Sequence, residues 1–138
     1  MGKLADLLTK RVEERIQSGL DAFAEGLVED VEHPVITGIT RGNWQPSINN
    51  PKKVQDYFGY SFADIYDAMQ SRTELISLQD AKEKSLGFKW ELGDTVIWTN
   101  SLEHIGELEH RRKFFDTIVE NSRQKAQRAM KSNRTGRG

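Results

Sequence analysis

Phe88-Lys89-Trp90-Glu91-Leu92-Gly93-Asp94-Thr95-Val96-Ile97-Trp98-Thr99 is the stretch that separates an α+β reading of this chain from an all-helical one. Two runs rich in β-branched and aromatic residues flank Gly-Asp, and glycine at the first position of a two-residue loop signals a hairpin turn. In that register Leu92 faces Thr95, Trp90 faces Ile97 and Lys89 faces Trp98. One face then carries Phe88, Trp90, Leu92 and Ile97, while Trp98 lies on the other beside Lys89 and needs a second cover.

Helical patterns lie on both sides of the hairpin. Leu4, Leu8, Val12, Ile16, Leu20, Phe23, Leu27 and Val31 recur at three- and four-residue steps, so Leu4 to Glu32 reads as one amphipathic helix. Gly19 and Gly26 weaken it by about 1 kcal/mol each relative to alanine and allow a bend. Pro34 ends it, because the residue before proline is pushed out of the helical region. At ~1.5 Å per residue this helix is about 43 Å long, while a compact chain of 138 residues has a radius of gyration of roughly 14 Å. A rod that spans the whole globule suggests a bend or a contact with another molecule.

The final helix reads from about Lys113 to Met130, with Phe114, Phe115, Ile118, Val119, Ala126 and Met130 inward; Asn133 to Gly138 should fray. Between the ends, Val35 to Ile48 looks extended, with Val35, Ile36, Ile39, Trp44 and Ile48 broken by Gly38 and Gly42. Pro46 confines its second half to an edge or irregular strand. Asn49 to Lys53 is a loop by composition. Ser61 caps a middle helix, with Asp64 completing a capping box and Phe62, Ile65, Tyr66 and Met69 on one face. Thr73 to Leu78 either continues that helix or forms a short strand.

The expected architecture is therefore α+β: long N-terminal and C-terminal helices packed on a small, mainly antiparallel β-sheet, with one additional middle helix. Residues 1–131 form a single domain, followed by a basic flexible tail over 132–138.

Composition narrows the function. No apolar run approaches ~18 residues, so no transmembrane helix is expected. The N-terminal residues lack the apolar core of a secretory signal, and Asp6 stands where a myristoylation motif wants Ser or Thr. With no cysteine, disulfides, thiolate catalysis and cysteine-based zinc sites are excluded, and a reducing compartment fits. Net charge −1 hides a split: Arg123, Lys125, Arg128, Lys131, Arg134 and Arg137 occur with no acid, leaving 1–122 at net −7. An acidic body with a basic end suggests that the end meets nucleic acid or the acidic body of a neighbouring copy.

Catalytic patterns fail on spacing. In Glu103-His104-Ile105-Gly106-Glu107-Leu108-Glu109-His110 the histidines are six apart, not the four that place two on one helix face for zinc. The glycines of Gly38-Ile39-Thr40-Arg41-Gly42 are followed by Asn43-Trp44-Gln45-Pro46, not by the Lys-Ser/Thr of a phosphate loop. No Ser–His–acid set is recognisable. The reading assigns no catalytic, cofactor-binding or metal-ligating residue. No aromatic follows Phe115 to stack on bases, which argues against specific nucleic-acid readout by the tail.

Pro34, Val35, Thr37 and Gly38, with the run Arg41-Gly42-Asn43-Trp44-Gln45, resemble the neck or tail-completion proteins of bacteriophage head–tail connectors, also described as minor tail components. Members of that family carry a long N-terminal helix, then Thr-Pro-Val-Asp-Thr-Gly, then a strand often reading Arg-Gly-Asn-Trp. A second family block, Gly-Asp-Thr-Val-Tyr-Ile-Thr-Asn followed by Leu-Glu, is similar to Gly93-Asp94-Thr95-Val96-Ile97-Trp98-Thr99-Asn100 with Leu108 and Glu109. Ile36 replaces the usual Asp, His104 stands where Tyr is common, and Arg111-Arg112-Lys113 replaces a small, proline-containing segment. The resemblance implies a structural virion protein without catalytic activity that forms a sixfold or twelvefold ring between portal and tail. It would meet connector, stopper, tail-tube or terminator proteins, and DNA non-specifically in the lumen. The host cytoplasm during assembly and the virion neck are the implied locations, with no membrane. Trp98, Arg123, Lys125, Arg128 and Lys131 are the candidate interface residues. A basic-tailed nucleic-acid-binding module is the alternative, and a metal-dependent hydrolase is a third reading.

Overall fold

The computed structural model describes residues 2–29, 37–100 and 114–135. Pro34, Val35, Leu108, Glu109, the histidine-bearing stretch 103–110 and the end of the chain lie outside the described residues. The described elements run in the order α1 (Lys3–Glu29), a 3-10 turn (Arg41–Asn43), β1 (Gln45–Ile48), α2 (Phe62–Ser71), α3 (Leu78–Ser85), β2 (Val96–Thr99) and α4 (Phe114–Thr135). The architecture is α+β, as expected: the long first and last helices pack on each other, α1 meets the two-stranded antiparallel sheet through Phe23 and Trp98, and α3 packs on β1.

α1 and α4 pack closely because both carry small residues at the crossing. A Cβ on Gly19 would sit 2.8 Å from the Met130 thioether, and one on Gly26 would sit 2.8 Å from Ser122 Cα. The two glycines, seven residues apart, return to one helix face and let the backbones approach. They serve close packing, and α1 is one continuous helix. Ser122 is fully buried and donates its hydroxyl to the Ile118 carbonyl, so its own polar group is satisfied at the crossing. Ile118 is buried, whereas Val119, expected inward, is 40% exposed. α4 continues through Thr135, so the expected boundary between domain and tail at residue 131 falls inside a helix.

The sheet departs most from expectation. β2 pairs with β1 rather than with Phe88–Leu92, in the register Gln45↔Thr99, Pro46↔Trp98, Ser47↔Ile97 and Ile48↔Val96. A turn forms one residue earlier than expected: the Asp94 amide donates to the Glu91 carbonyl at 2.9 Å, so Leu92 and Gly93 are its central residues, with Gly93 at φ +97°, and what precedes it is not a strand. Phe88 and Trp90 find tertiary partners instead. Phe88 meets the Trp98 ring edge-on at 5.5 Å, and the Trp90 indole donates to the Gln17 side chain on α1. Pro46 is tolerated because each strand of a two-stranded sheet is an edge. Upstream of β1, residues 37–43 form turns and a 3-10 helix, not the expected extended segment.

Gly93 sits at the surface, and a Cβ added there would meet open space, so only its backbone conformation demands glycine. Gly93→Val is expected to cost about 1–3 kcal/mol from backbone strain alone, read as a lower midpoint in urea with an unchanged slope.

The capping box of α2 is present: Ser61 accepts from the Asp64 amide at 3.1 Å and Asp64 accepts from the Ser61 amide at 3.2 Å. Its apolar stripe points the wrong way for a core. Phe62, Tyr66 and Met69 are exposed, while Ala68 is buried. Thr73 to Leu78 neither continues α2 nor forms a strand. The chain turns there and docks on Thr37, whose carbonyl accepts from both the Leu75 and Ile76 amides at 2.8 and 2.9 Å. It then enters α3, a second middle helix capped by Ser77, whose side chain accepts from the Asp80 amide. The core gathers Leu27, Val28, Ile39, Trp44, Ile76, Ala81 and Ile118.

Candidate functional site

The motif residues Thr37 to Gln45 are brought together as a buried polar hub. Asn43 is fully buried; its amide group donates to the carbonyls of Ile39 (2.7 Å) and Asp56 (2.8 Å), and its oxygen accepts from the Asp56 amide (2.8 Å). Gln45, also buried, donates to the Val54 carbonyl. These side chains satisfy the backbone of a segment, 54–56, that has no ladder partner of its own, as buried peptide groups require. Arg41 is 8% exposed and joins Glu74 and the Ile76 carbonyl, each at 3.1 Å. Gly38, at φ +88°, and Gly42 bring the backbone against Ile76 and the Phe58 ring. Trp44 closes the core at 4% exposure.

The second motif block joins the first. Thr99 stands opposite Gln45, and its hydroxyl donates to the Lys52 carbonyl. The Asn100 side chain donates to the Thr40 carbonyl at 2.9 Å. Asp94 accepts from the Glu91 amide at 2.8 Å, closing the turn with Gly93. These groups hold loops; the Arg41 Nε and the Asn100 Oδ1 are buried without a partner among the described residues.

Trp98 is a core residue in its geometry. Its ring lies 5.3 Å from Phe23, and its indole donates to the Ser85 carbonyl at 2.8 Å. Lys89 is not its neighbour in the register, and the second cover it required is supplied by α1. Trp98, named above as a candidate interface residue, is thus packed against α1 within its own chain, and Trp98→Asp would disrupt the fold. Beside it opens an apolar groove of about 470 Å³, lined among others by Ile16, Leu20, Phe23, Trp44 and Val119.

Charged residues at the C-terminal end are partly engaged within the chain. Arg123 pairs with Glu120 one turn back, at 2.7 Å. Lys125 reaches Glu29 at 3.4 Å, and Lys82 of α3 pairs with the same carboxylate, so Glu29 ties three helices together. Arg128 and Lys131 lie on the solvent side of α4. Nothing local in the sequence signals this clamp, because Glu29 looks like any other acid near a helix end.

The hydrogen bond from Lys82, and then the two positive charges, hold the Glu29 carboxyl below its ordinary 4.5 against the opposing effect of partial burial. A depressed carboxylate stabilises the fold above pH 4.5, and that contribution is lost as pH falls below 4.5 through its folded value. Wild type is thus expected to lose melting temperature more steeply than Glu29→Gln between neutral pH and about pH 3.5. Parallel curves would remove Glu29 from the acid response.

Lys84 lies over the Phe58 ring, 4.1 Å from its centroid, and pairs with Asp56. Burial, then the Lys52 charge, lower its pKa to about 8, and its amine donates to the Asp56 carboxylate. It buttresses the 54–56 segment from the α3 side.

Among the described residues, several large apolar side chains lie exposed. Leu4, Leu7, Leu8 and Val12 on α1 are 68, 47, 53 and 49% exposed, and Phe62, Tyr66 and Met69 on α2 are 74, 63 and 49% exposed. With Met130 opposite Gly19 and Ser122 opposite Gly26, α4 runs antiparallel to α1, and its last described turn reaches only about residue 14 of α1. The first turns of α1 project past it. Covering each half-exposed leucine is worth about 1 kcal/mol, against about 0–1 for an exposed ion pair.

Among the described residues no group of three or more His, Asp or Glu is placed to hold a metal ion, and no helix is long and apolar enough to cross a membrane. Comparison with known protein families, with characterised proteins and with solved structures found no match.

Proposed function

We propose that this chain is a structural subunit of an oligomeric ring in the neck of a bacteriophage, between the portal and the tail. The observation that carries the reading is the pairing of β1 with β2. The two sequence blocks that resemble the neck family, some fifty residues apart, meet where Gln45 pairs with Thr99 across the sheet and where the Asn100 side chain donates to the Thr40 carbonyl. Their polar side chains hold the scaffold together and catalyse nothing. Exposed apolar faces on α1 and α2 supply what such a subunit needs to meet its neighbours. The chain assembles in the host cytoplasm and resides at the head–tail junction, in contact with connector and tail proteins. Arg128 and Lys131 suit a non-specific contact with DNA in the lumen.

Light scattering and electron microscopy of the purified protein test the proposal, with closed rings of six or twelve copies as the expected result. A protein that stays monomeric at high concentration and is missing from purified virions overturns it. Deleting residues 123–138 is a poor test, because it removes Ala126 and Met130 from the packing on Gly19. Charge reversal at Arg128 and Lys131 tests the role of the basic end without touching that packing. Tight, strongly salt-dependent DNA binding by a monomer would instead favour the nucleic-acid-binding module.

A further inference from the structure

We infer that residues 59–72, with α2 at their centre, are a hinged arm that opens from the body as a unit while the core stays folded. The inference does not depend on the ring reading. α2 has ten residues; eight are exposed, Ile65 is half-buried and only Ala68 is buried. The principal packing joins α1 to α4, α3 and the 3-10 turn, and α3 to that turn and β1, and α2 lies outside it. The hydrogen bonds of α2 are local. They are the Ser61–Asp64 capping box, the Ser71 hydroxyl to the Asp67 carbonyl, and the Arg72 and Thr73 amides to the Met69 and Ala68 carbonyls. Among the described residues, no hydrogen bond or ion pair joins 60–72 to another helix or to the sheet. What holds α2 down is the burial of Ala68 and the edge-on contact of Phe62 with Tyr57. A helix this short is marginal in water without a body to pack on.

The two feet of the arm, by contrast, are pinned side by side on the hub. At the first, the Asp56 backbone exchanges hydrogen bonds with the Asn43 side chain at 2.8 Å, and the Asp56 carboxylate accepts from the Phe58 amide at 2.8 Å. At the second, the Leu75 and Ile76 amides donate to the Thr37 carbonyl, while Arg41 holds Glu74 and the Ile76 carbonyl. A Cβ on Gly42 would stand 2.8 Å from the Phe58 ring and 3.3 Å from the Ile76 side chain, so both feet close on one point. Left-handed residues turn the chain there: Phe58 at φ +57° and Gly59 at +81° on the way out, Arg72 at +55° on the way back.

Opening the arm therefore uncovers Ala68 and parts Phe62 from Tyr57, but breaks none of the hub's hydrogen bonds. With its feet fixed, a chain of about seven residues out and seven back reaches ~20 Å, carrying Phe62, Tyr66 and Met69 away from the body. The apolar stripe is thus carried by the least anchored helix of the fold, which can order on contact without disturbing the core.

Native-state hydrogen exchange of the dilute, unassembled chain tests the arm. Amides of residues 66–71 should exchange at least about 100-fold faster than those of 24–28 and 118–122. Low urea should hardly alter their rates, because a local opening exposes little surface. Tyr66→Pro, which breaks α2, supplies a second measurement. All three tryptophans, Trp44, Trp90 and Trp98, lie outside the arm, so their fluorescence reports the body alone. That variant should still unfold cooperatively in urea, with a slope close to wild type. Exchange of α2 in step with the core and with the same urea dependence overturns the arm. A Tyr66→Pro chain with no cooperative transition overturns it as well.

Discussion

Gly38→Ala is expected to cost about 2–6 kcal/mol, a large share of the stability of a small domain, and to lower the urea midpoint sharply. Two effects add. Gly38 sits at φ +88°, where a side chain imposes backbone strain of about 1–3 kcal/mol. A Cβ there would also overlap the Ile76 carbonyl, a backbone atom held in place by the hydrogen bonds to Thr37 and Arg41. Overpacking against atoms that cannot move aside costs about 1–3 kcal/mol more. The sum is comparable to the whole stability of a small domain, about 5–15 kcal/mol. Urea denaturation followed by tryptophan fluorescence reads the effect. A wild-type midpoint would mean that the 75–76 turn can withdraw from Gly38, and the hub around Arg41 would lose its anchor.

Trp44→Ala is expected to cost about 3–5 kcal/mol, the usual range for deleting a buried aromatic. Trp44 is 4% exposed where the 3-10 turn becomes β1, and it packs in the cluster shared by α1, α4 and the 75–76 turn. Its loss opens a cavity that adjoins the groove beside Trp98, so water can enter the core rather than be excluded from it. Calorimetry should show a lower, broader transition, with Trp44→Phe intermediate. If Trp44→Ala melts like wild type yet fails to assemble, Trp44 belongs to an interface and the core assignment falls.

The scaffold role of the motif residues also explains why they carry no chemistry in the proposed function. Asn43 spends its side chain on three backbone groups, and Arg41 on a carbonyl and a carboxylate. A group committed to that many fixed partners is poorly placed to bind or release a substrate. The exposed apolar faces of α1 and α2 and the exposed Arg128 and Lys131 are not committed to this hub.

Signals that live in a few consecutive residues are legible without coordinates. The stripe from Leu4 to Leu27 specifies α1, Ser61 and Asp64 specify the start of α2, and Gly93 specifies a turn, since each depends only on neighbours within one or two helical turns or a four-residue loop. The α+β class follows from them. The choice of strand partner does not, because Phe88–Leu92 and Gln45–Ile48 both compete for β2 and only the core decides. With β1 in place Trp98 reaches Phe23, Phe88 and the Ser85 carbonyl at once. Likewise, a stripe says that a helix has an apolar face but not what covers it. Ala68 and Ile65 turn α2 toward the body and leave its aromatic face outside, and Gly19 and Gly26 read as weak points until Met130 and Ser122 are seen against them. Periodicity and caps are written locally in the sequence; which faces meet is decided by long-range packing, where burying one set of side chains necessarily exposes another.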